Sequence, residues 1–459
     1  MLDGIKKIHF VGIGGSGMSA LAKIMLSLGY EVSGSDVNKS EITAKLEQAG
    51  GTIQIGHAAA NIAGAEVVVL SSAIDPLNPE VIAAQSKGLK IIHRSDVLAA
   101  LFVNRRGIAV AGAHGKTTTT SMIAHLLLTG GLDPTVVLGG EMEPIGGAVL
   151  GEGNFLVAEA DESDGSFLKL LPQIAVITNI ENDHLDHYGS MAAILAAFKE
   201  FVQTLPQDNG LAVVCFDNEY LREMMDGCGR RYISYALDHD AEYRAVNIRL
   251  EQTYTLYDVD HRGVKLGTVK LNVPGRHNIA NSLAAIIVGL TAGLSMKEIS
   301  ASLASFKGPK RRFQTKGKIK GVWVVDDYAH HPTEIATTLL GAKQTAPNRL
   351  ICVFQPHRYT RTKNLRHEFG SAFKSADLLI LTDIYAAGEQ PIAGIDGETI
   401  KEEVEKQTNQ HVTYIPDKDK VARYLAEIVE PGDLVITMGA GNIFRSGEEL
   451  TERLITKES

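Results

Sequence analysis

Ile108-Ala109-Val110-Ala111-Gly112-Ala113-His114-Gly115-Lys116-Thr117-Thr118 is the stretch that decides the fold. An apolar, β-branched run ends in a glycine loop, and residues 117–128 then carry apolar side chains at helical spacing. Strand, glycine loop, Lys-Thr and helix is the order of a P-loop. Backbone N–H groups there cradle a β-phosphate, Lys116 neutralises β/γ oxygens, and the Thr117 hydroxyl can hold Mg²⁺. Position 110 is Val where the common Walker form has Gly, so the spacing departs from that form. The flanking strand and helix disfavour a chance Gly-Lys-Thr.

A second glycine loop lies upstream. Gly12-Ile13-Gly14-Gly15-Ser16-Gly17 follows an expected strand over 8–13 and opens an expected helix over 16–28. It fits G-x-G-x-x-G, and Asp36 follows the next strand (31–33), where the dinucleotide fingerprint has its acid. Bare backbone at Gly14, Gly15, Ser16 and Gly17 lets a diphosphate reach amides at a helix N-terminus. Asp36 is placed to take a ribose hydroxyl or a base edge. A tight turn packing helix on strand is the bland alternative. The motif alone suits a nicotinamide enzyme, yet it serves any nucleotide diphosphate. Two nucleotide loops in one chain are not explained by a dehydrogenase. They are explained by a ligase that joins a nucleotide-borne substrate at ATP's expense; a P-loop binding switch is the non-enzymatic alternative.

Short β-branched runs at 66–70, 155–158, 174–178 and 211–216 alternate with helical patterns, which predicts parallel sheets with crossover helices. Residues 243–273 alternate polar and apolar with a turn at Asp260-His261-Arg262-Gly263, so an antiparallel insertion is expected. Arg105-Arg106-Gly107 and the basic run from Lys307 to Arg312 mark two boundaries, and the last unit is expected to open with a strand over 321–325. The fold class is α/β in three domains. These are a Rossmann-like domain over 1–106, a central P-loop ATPase-like parallel-sheet domain with the insertion over 107–312, and a Rossmann-like α/β domain over 313–459.

The chain has 459 residues with 44% hydrophobic content, enough for ordinary cores. Lys+Arg 45 against Asp+Glu 54 gives a net charge of −9, which disfavours a nucleic-acid coat but not a local basic pocket. Three cysteines without a C-x-x-C pair make no disulfide framework, so a cytoplasmic home is expected. No apolar run is long enough to cross a membrane. Lys6 and Lys7 before an apolar run imitate a signal peptide, but the glycines from Gly12 break that run.

Polar groups bunch after two further strands. Glu159-Ala160-Asp161-Glu162-Ser163-Asp164 offers four carboxylates, resembling the oxygen sets Mg²⁺ prefers. Asn179-Ile180-Glu181-Asn182-Asp183-His184-Leu185-Asp186-His187 follows a strand end, where ligand crevices form, and His184 is a candidate for a second metal.

With Gly275-Arg276-His277-Asn278-Ile279-Ala280-Asn281, these stretches resemble in order and spacing the ATP-dependent Mur ligases of peptidoglycan synthesis. The resemblance spans essentially the whole chain. Residues 12–18, Asp326-Asp327-Tyr328-Ala329-His330-His331-Pro332-Thr333-Glu334 and Phe354-Gln355-Pro356-His357-Arg358-Tyr359-Thr360-Arg361-Thr362 look like the member that adds L-alanine to UDP-N-acetylmuramate. The member that recycles intact murein tripeptide shares His-His-Pro, differs in the first glycine loop and lacks the Gln-Pro-His-Arg-Tyr-Thr-Arg string.

Several roles are implied by the resemblance. The first domain would hold the UDP substrate through Gly14, Gly15, Ser16, Gly17 and Asp36. The central domain would hold ATP through Gly112, His114, Gly115, Lys116, Thr117 and Thr118, with His277, Asn278 and Asn281 flanking adenine. Thr117 and Glu159 would ligate one Mg²⁺ and His184 a second. The last domain would take the amino acid and supply Arg358, Arg361 and His331, with Asp327 and His331 as candidates for the amine proton. Some family members bridge two metals with a carbamylated lysine; Lys199 falls near the right distance, but a helix-surface lysine is the simpler reading. The expected partners are small molecules, with neither nucleic acid nor membrane, in a monomer or homodimer.

Overall fold

The computed structural model describes residue 2 and residues 4–456. The first sheet runs Thr52–Ile55, Glu31–Asp36, Lys7–Val11, Val67–Leu70, Lys90–His93, all parallel. Strand order reverses at Lys7–Val11, and crevices open beyond the carboxyl ends of strands at such a switch point. The first glycine loop therefore leaves a strand whose end borders a natural ligand crevice.

The second sheet has ten strands. Its parallel centre is Tyr232–Ala236, Leu211–Cys215, Ile174–Ile177, Arg106–Ala111, Phe155–Glu159 and Thr135–Met142, with Gly146–Val149 closing one edge antiparallel. Ile108, Ala109, Val110 and Ala111 are fully buried, as expected of a strand covered on both faces. Val110 thus belongs to the strand interior, and the phosphate loop begins only at Gly112. That accounts for the missing Walker glycine. At the other edge lie Tyr243–Leu250, Thr255–His261 and Val264–Leu271. Arg262 and Gly263, at φ 52° and 84°, form a two-residue reversal whose twist suits a hairpin. Tyr243–Leu250 pairs in parallel with Tyr232–Ala236, so these strands extend the central sheet.

The third sheet runs Gln314–Ile319, Val322–Asp327, Leu434–Met438, Leu350–Phe354, Leu378–Leu381, Val412–Tyr414. The last five are parallel. Here a sequence expectation is corrected: the unit opens not at 321 but with Gln314–Ile319, joined antiparallel to the next strand through Lys320 and Gly321 at φ 52° and 79°. Gln-Thr-Lys-Gly-Lys-Ile is a polar, part-exposed edge strand, so apolar patterning carries no trace of it. By internal packing the chain divides into two compact units. The first comprises the chain up to Asn247, Tyr257–Val269 and Ala280–Phe306; the second comprises Ile248–Leu256, Lys270–Ile279 and everything from Lys307 onward.

Glu80 is buried in the first sheet's packing. It accepts hydrogen bonds from Ser35 Oγ (2.6 Å), Asn61 Nδ2 (2.6 Å) and the Ala58 amide (3.2 Å), with His9 Nε2 at 3.3 Å. Burial opposes its charge, but the bonds from His9, Ser35 and Asn61 outweigh it and hold the carboxyl down to about 2. The folded value lies below the unfolded one, so this stabilisation is present above about pH 4.5 and is lost as pH falls toward 2. Glu80→Ala should cost about 3 kcal/mol, read as a lower denaturant midpoint at unchanged slope. The variant's stability should also fall less steeply than the parent's between those pH values. An unchanged midpoint would refute the assignment.

Candidate active site

Two glycines shape the phosphate loop. Gly112 and Gly115 sit at φ 131° and 83°, and a Cβ at Gly115 would lie 2.7 Å from Asn281 Oδ1. A Cβ at Gly112 would collide with Thr178 Oγ1. The loop is braced from the neighbouring strand end. Asn179 Oδ1 accepts the His114 amide at 2.9 Å, Asn179 Nδ2 donates to the His114 carbonyl at 3.0 Å, and Thr178 Oγ1 donates to it at 2.6 Å. His114 Nε2 lies 3.2 Å from Glu181 Oε2. Thr118 is buried in the first turn of the helix Lys116–Thr129.

Lys116 Nζ curls back over the loop, donating to the carbonyls of Gly112 (2.6 Å) and Ala113 (3.3 Å) and to Glu162 Oε1 (2.6 Å). Burial works against its charge, but Glu162 above all, with Asp161 and Glu159, raises its pKa. Thr117 Oγ1 donates to Glu159 Oε2 at 3.1 Å, and Glu159 Oε1 accepts the Gly139 amide at 2.7 Å. Glu162 Oε2 is buried with no hydrogen-bond partner. A hydroxyl, a carboxylate and an unsatisfied buried oxygen are hard donors, and that set fits magnesium. His184 stands beside it, Nε2 3.8 Å from Glu162 Oε1, on a left-handed backbone at φ 58° that a non-glycine residue holds only under constraint.

The four clustered carboxylates do not form one ligand set, which corrects the sequence reading. Glu159 goes to Thr117, Glu162 to Lys116, Asp161 to Arg94 Nη2 at 2.5 Å, and Asp164 accepts the Ser72 hydroxyl. Past the strand Phe155–Glu159 the chain turns, so successive residues face different neighbours. Burial opposes the Asp161 charge, but Arg94, a bond from Ser163 and Lys116 hold its pKa at about 2. A cavity of about 440 Å³ opens among Gly15, Gly17, Arg94, Lys116, Glu159 and Asp161. Both glycine loops reach it. Asp36 does not point there as a spare acid: Oδ2 accepts the Gly14 amide at 2.9 Å and Oδ1 the Asn38 amide at 3.2 Å, which shapes the first loop. Lys199 is exposed on the helix Met191–Gln203.

The second unit carries the other candidates. His331 caps the helix Pro332–Lys343, its ring accepting from the Thr333 amide and Glu334 answering the His331 amide. Arg358 is exposed, at φ 71°, with its amide on the Tyr385 carbonyl. Arg361 Nη1 lies 3.1 Å from His357 Nδ1. His277 is pushed down to about 4 by burial and by Arg312, and Asn278 Nδ2 donates to the Pro274 carbonyl. Both belong to the second unit, whereas Asn281 packs on the phosphate loop in the first. Asp327 clamps a loop. It is buried, its two oxygens accept the Phe313 and Ala329 amides at 2.8 Å each, and burial raises it to about 6 against Arg312. Sequence reasoning passed over Arg94, and gave no separate role to Glu162 or to the His330–His357 pair, whose rings lie 5.9 Å apart. Glu162 carried a signal as part of the acidic run, and His330 and His357 as parts of the two long motifs; Arg94 carried none.

Three family models match in order: the Mur ligase family catalytic domain over residues 7–106, the Mur ligase middle domain over 110–289, and the Mur ligase glutamate ligase domain over 311–441. The chain belongs to the Mur ligase family. It is 51% identical to the UDP-N-acetylmuramate–L-alanine ligase of Geotalea daltonii, covering 99% of each chain. It is equally 51% identical to the enzyme of that name from Pelotomaculum thermopropionicum, over 99% of this chain and 98% of that one. The solved UDP-N-acetylmuramate–alanine ligase of Thermotoga maritima superposes with a TM-score of 0.84 at 30% identity, covering 98% and 99%. A murein peptide ligase from Psychrobacter arcticus gives 0.73 at 26% identity with the same coverage.

Glu162→Gln leaves the Lys116 ammonium without its carboxylate. Turnover should drop about tenfold or more while the circular dichroism spectrum holds. Full activity in the variant would reduce Glu162 to a dispensable counter-charge.

Proposed function

We propose that this chain is an ATP-dependent carbon–nitrogen ligase that joins L-alanine to the lactyl carboxylate of UDP-N-acetylmuramate, releasing ADP and phosphate, in peptidoglycan precursor synthesis. The observation that carries the reading is one cavity reached by both glycine loops, in a chain half identical along its length to ligases of that name. The tripeptide-recycling alternative is set aside because the full-length relatives at that identity carry the alanine-ligase name.

In this reading residues 1–106 bind the UDP substrate, 107–312 bind ATP and 313–459 bind the amino acid. A carboxylate and an amine do not condense unaided, because hydroxide leaves poorly. The lactyl carboxylate therefore attacks the γ-phosphorus, the bond to the β-phosphate oxygen breaks, and ADP leaves an acyl phosphate. The alanine nitrogen then attacks the carbonyl carbon, phosphate departs, and the ammonium proton passes to an acceptor. The first step brings anions together, so fixed positive charge should dominate catalysis. Lys116 supplies it to the β/γ oxygens within the amide cradle of Gly112, His114, Gly115 and Thr118. Magnesium held by Thr117 and Glu159, with His184 toward a second ion, would add charge between the phosphates. His277, Asn278 and Asn281 serve the adenine. Arg358 and Arg361 bring cationic charge from the C-terminal part, and His331 is its proton acceptor. Gly14, Gly15, Ser16 and Gly17 meet the diphosphate, with Asp36 holding that loop in shape.

Phosphate release from ATP should require UDP-N-acetylmuramate and L-alanine together. Release that demands tripeptide instead would overturn the substrate assignment. Lys116→Ala should abolish release, while UDP-N-acetylmuramate still binds in calorimetry. Arg361→Ala should reduce kcat about a hundredfold with the melting temperature nearly unchanged; unaltered kinetics would return that side chain to a surface turn.

A further inference from the structure

The cavity shared by the glycine loops contains a cation with no part in the scheme so far. Arg94 opens the helix Arg94–Phe102 at the end of the strand Lys90–His93, the outermost strand on its side of the first sheet. Its guanidinium turns inward. A Cβ placed on Gly17 would lie 3.3 Å from Arg94 Nη1, so this cation sits against the first turn of the helix Ser16–Ser27. The first-turn amides of that helix have no intrahelical acceptors. Elsewhere the first loop is self-satisfied: the Gly12 and Ile13 amides go to the Ser35 carbonyl, Gly14 to Asp36 and Gly15 to Gly12. Gly15, Ser16 and Gly17 of this loop line the cavity, and Arg94 lines it beside them. Arg94 holds Asp161 at 2.5 Å, and Asp161 is one of the carboxylates around Lys116.

We propose that Arg94 is the substrate-binding arginine of the first glycine loop, gripping the diphosphate of the nucleotide substrate by exchanging its partner Asp161 for a phosphate oxygen. This rests on the ligase reading above and deepens it. A guanidinium donates to a phosphate oxygen as it donates to a carboxylate oxygen, so Asp161 Oδ2 on Arg94 Nη2 stands where a phosphate oxygen would. Asp161 is then a built-in competitor, and its release links occupancy of the first loop to the charge around Lys116 in the second.

The competitor makes the proposal separable from a structural role. In calorimetry, Arg94→Ala should weaken binding of both UDP and UDP-N-acetylmuramate about tenfold or more, and Arg94→Lys should recover part of that loss. The KM for ATP should move less than about twofold. Asp161→Asn should act in the opposite direction, tightening UDP binding a few-fold, about what one lost surface-type charge contact supplies. Melting curves verify that each variant is folded. Unchanged UDP affinity in folded Arg94→Ala overturns the proposal, as does a loss with UDP-N-acetylmuramate but none with UDP, which would move the contact to the sugar acid. Equal weakening by Asp161→Asn also overturns it, because a latch between the two residues would then be the whole effect. A parent protein that binds neither ligand instead strikes the ligase reading itself.

Discussion

A half-buried ammonium is the constraint from which the rest of the site follows. In its proposed role Lys116 stays charged beside a phosphate chain, yet an unpaired cation drawn into a protein interior loses several kcal/mol of hydration. Glu162 and the carbonyls of Gly112 and Ala113 replace the lost water. Those carbonyls point at the lysine only because Gly112 adopts a backbone that an L side chain would resist. Thr178 and Asn179 then hold the loop from the adjacent strand, so the cradle exists before any nucleotide arrives. A phosphate entering there meets a cation already aimed and replaces one set of acceptors by another, with little reorganisation.

The acids near the cavity are held one by one. Each acid of the run from Glu159 to Asp164 has its own partner: Asp161 and Glu162 face the cations Arg94 and Lys116, while Glu159 and Asp164 accept from the neutral hydroxyls of Thr117 and Ser72. In the role proposed for Arg94, an anionic substrate takes the place of Asp161. In the second unit charge is distributed differently. Burial presses His330 to about 4 and His357 to about 3, so both rings are neutral near pH 7. Positive charge in that segment therefore comes from the guanidinium groups of Arg358 and Arg361.

Much of this was legible in the order of residue types. Buried parallel strands demand continuous β-branched runs, and glycine loops between strand and helix leave a period break that cannot be mistaken for a core helix. The six-residue strand Gln314–Ile319 escaped because an edge strand facing water has no such run. The acids of 159–164 were seen as a group, but their partners were not, since Arg94, Ser72 and Lys116 come from distant stretches.

By itself the sequence determined the three α/β sheets, both glycine loops and the residues able to carry charge, because each depends on local propensity and spacing. Tertiary structure alone decided that Val110 lies inside a strand, that Asp36 and Asp327 clamp backbone amides, and that Arg94 stands between Gly17 and Asp161. The physical reason is that a carboxylate or guanidinium has the same local signature whatever it binds. Only the packing of distant strands sets which partner lies within 3 Å and how much water is left around the pair.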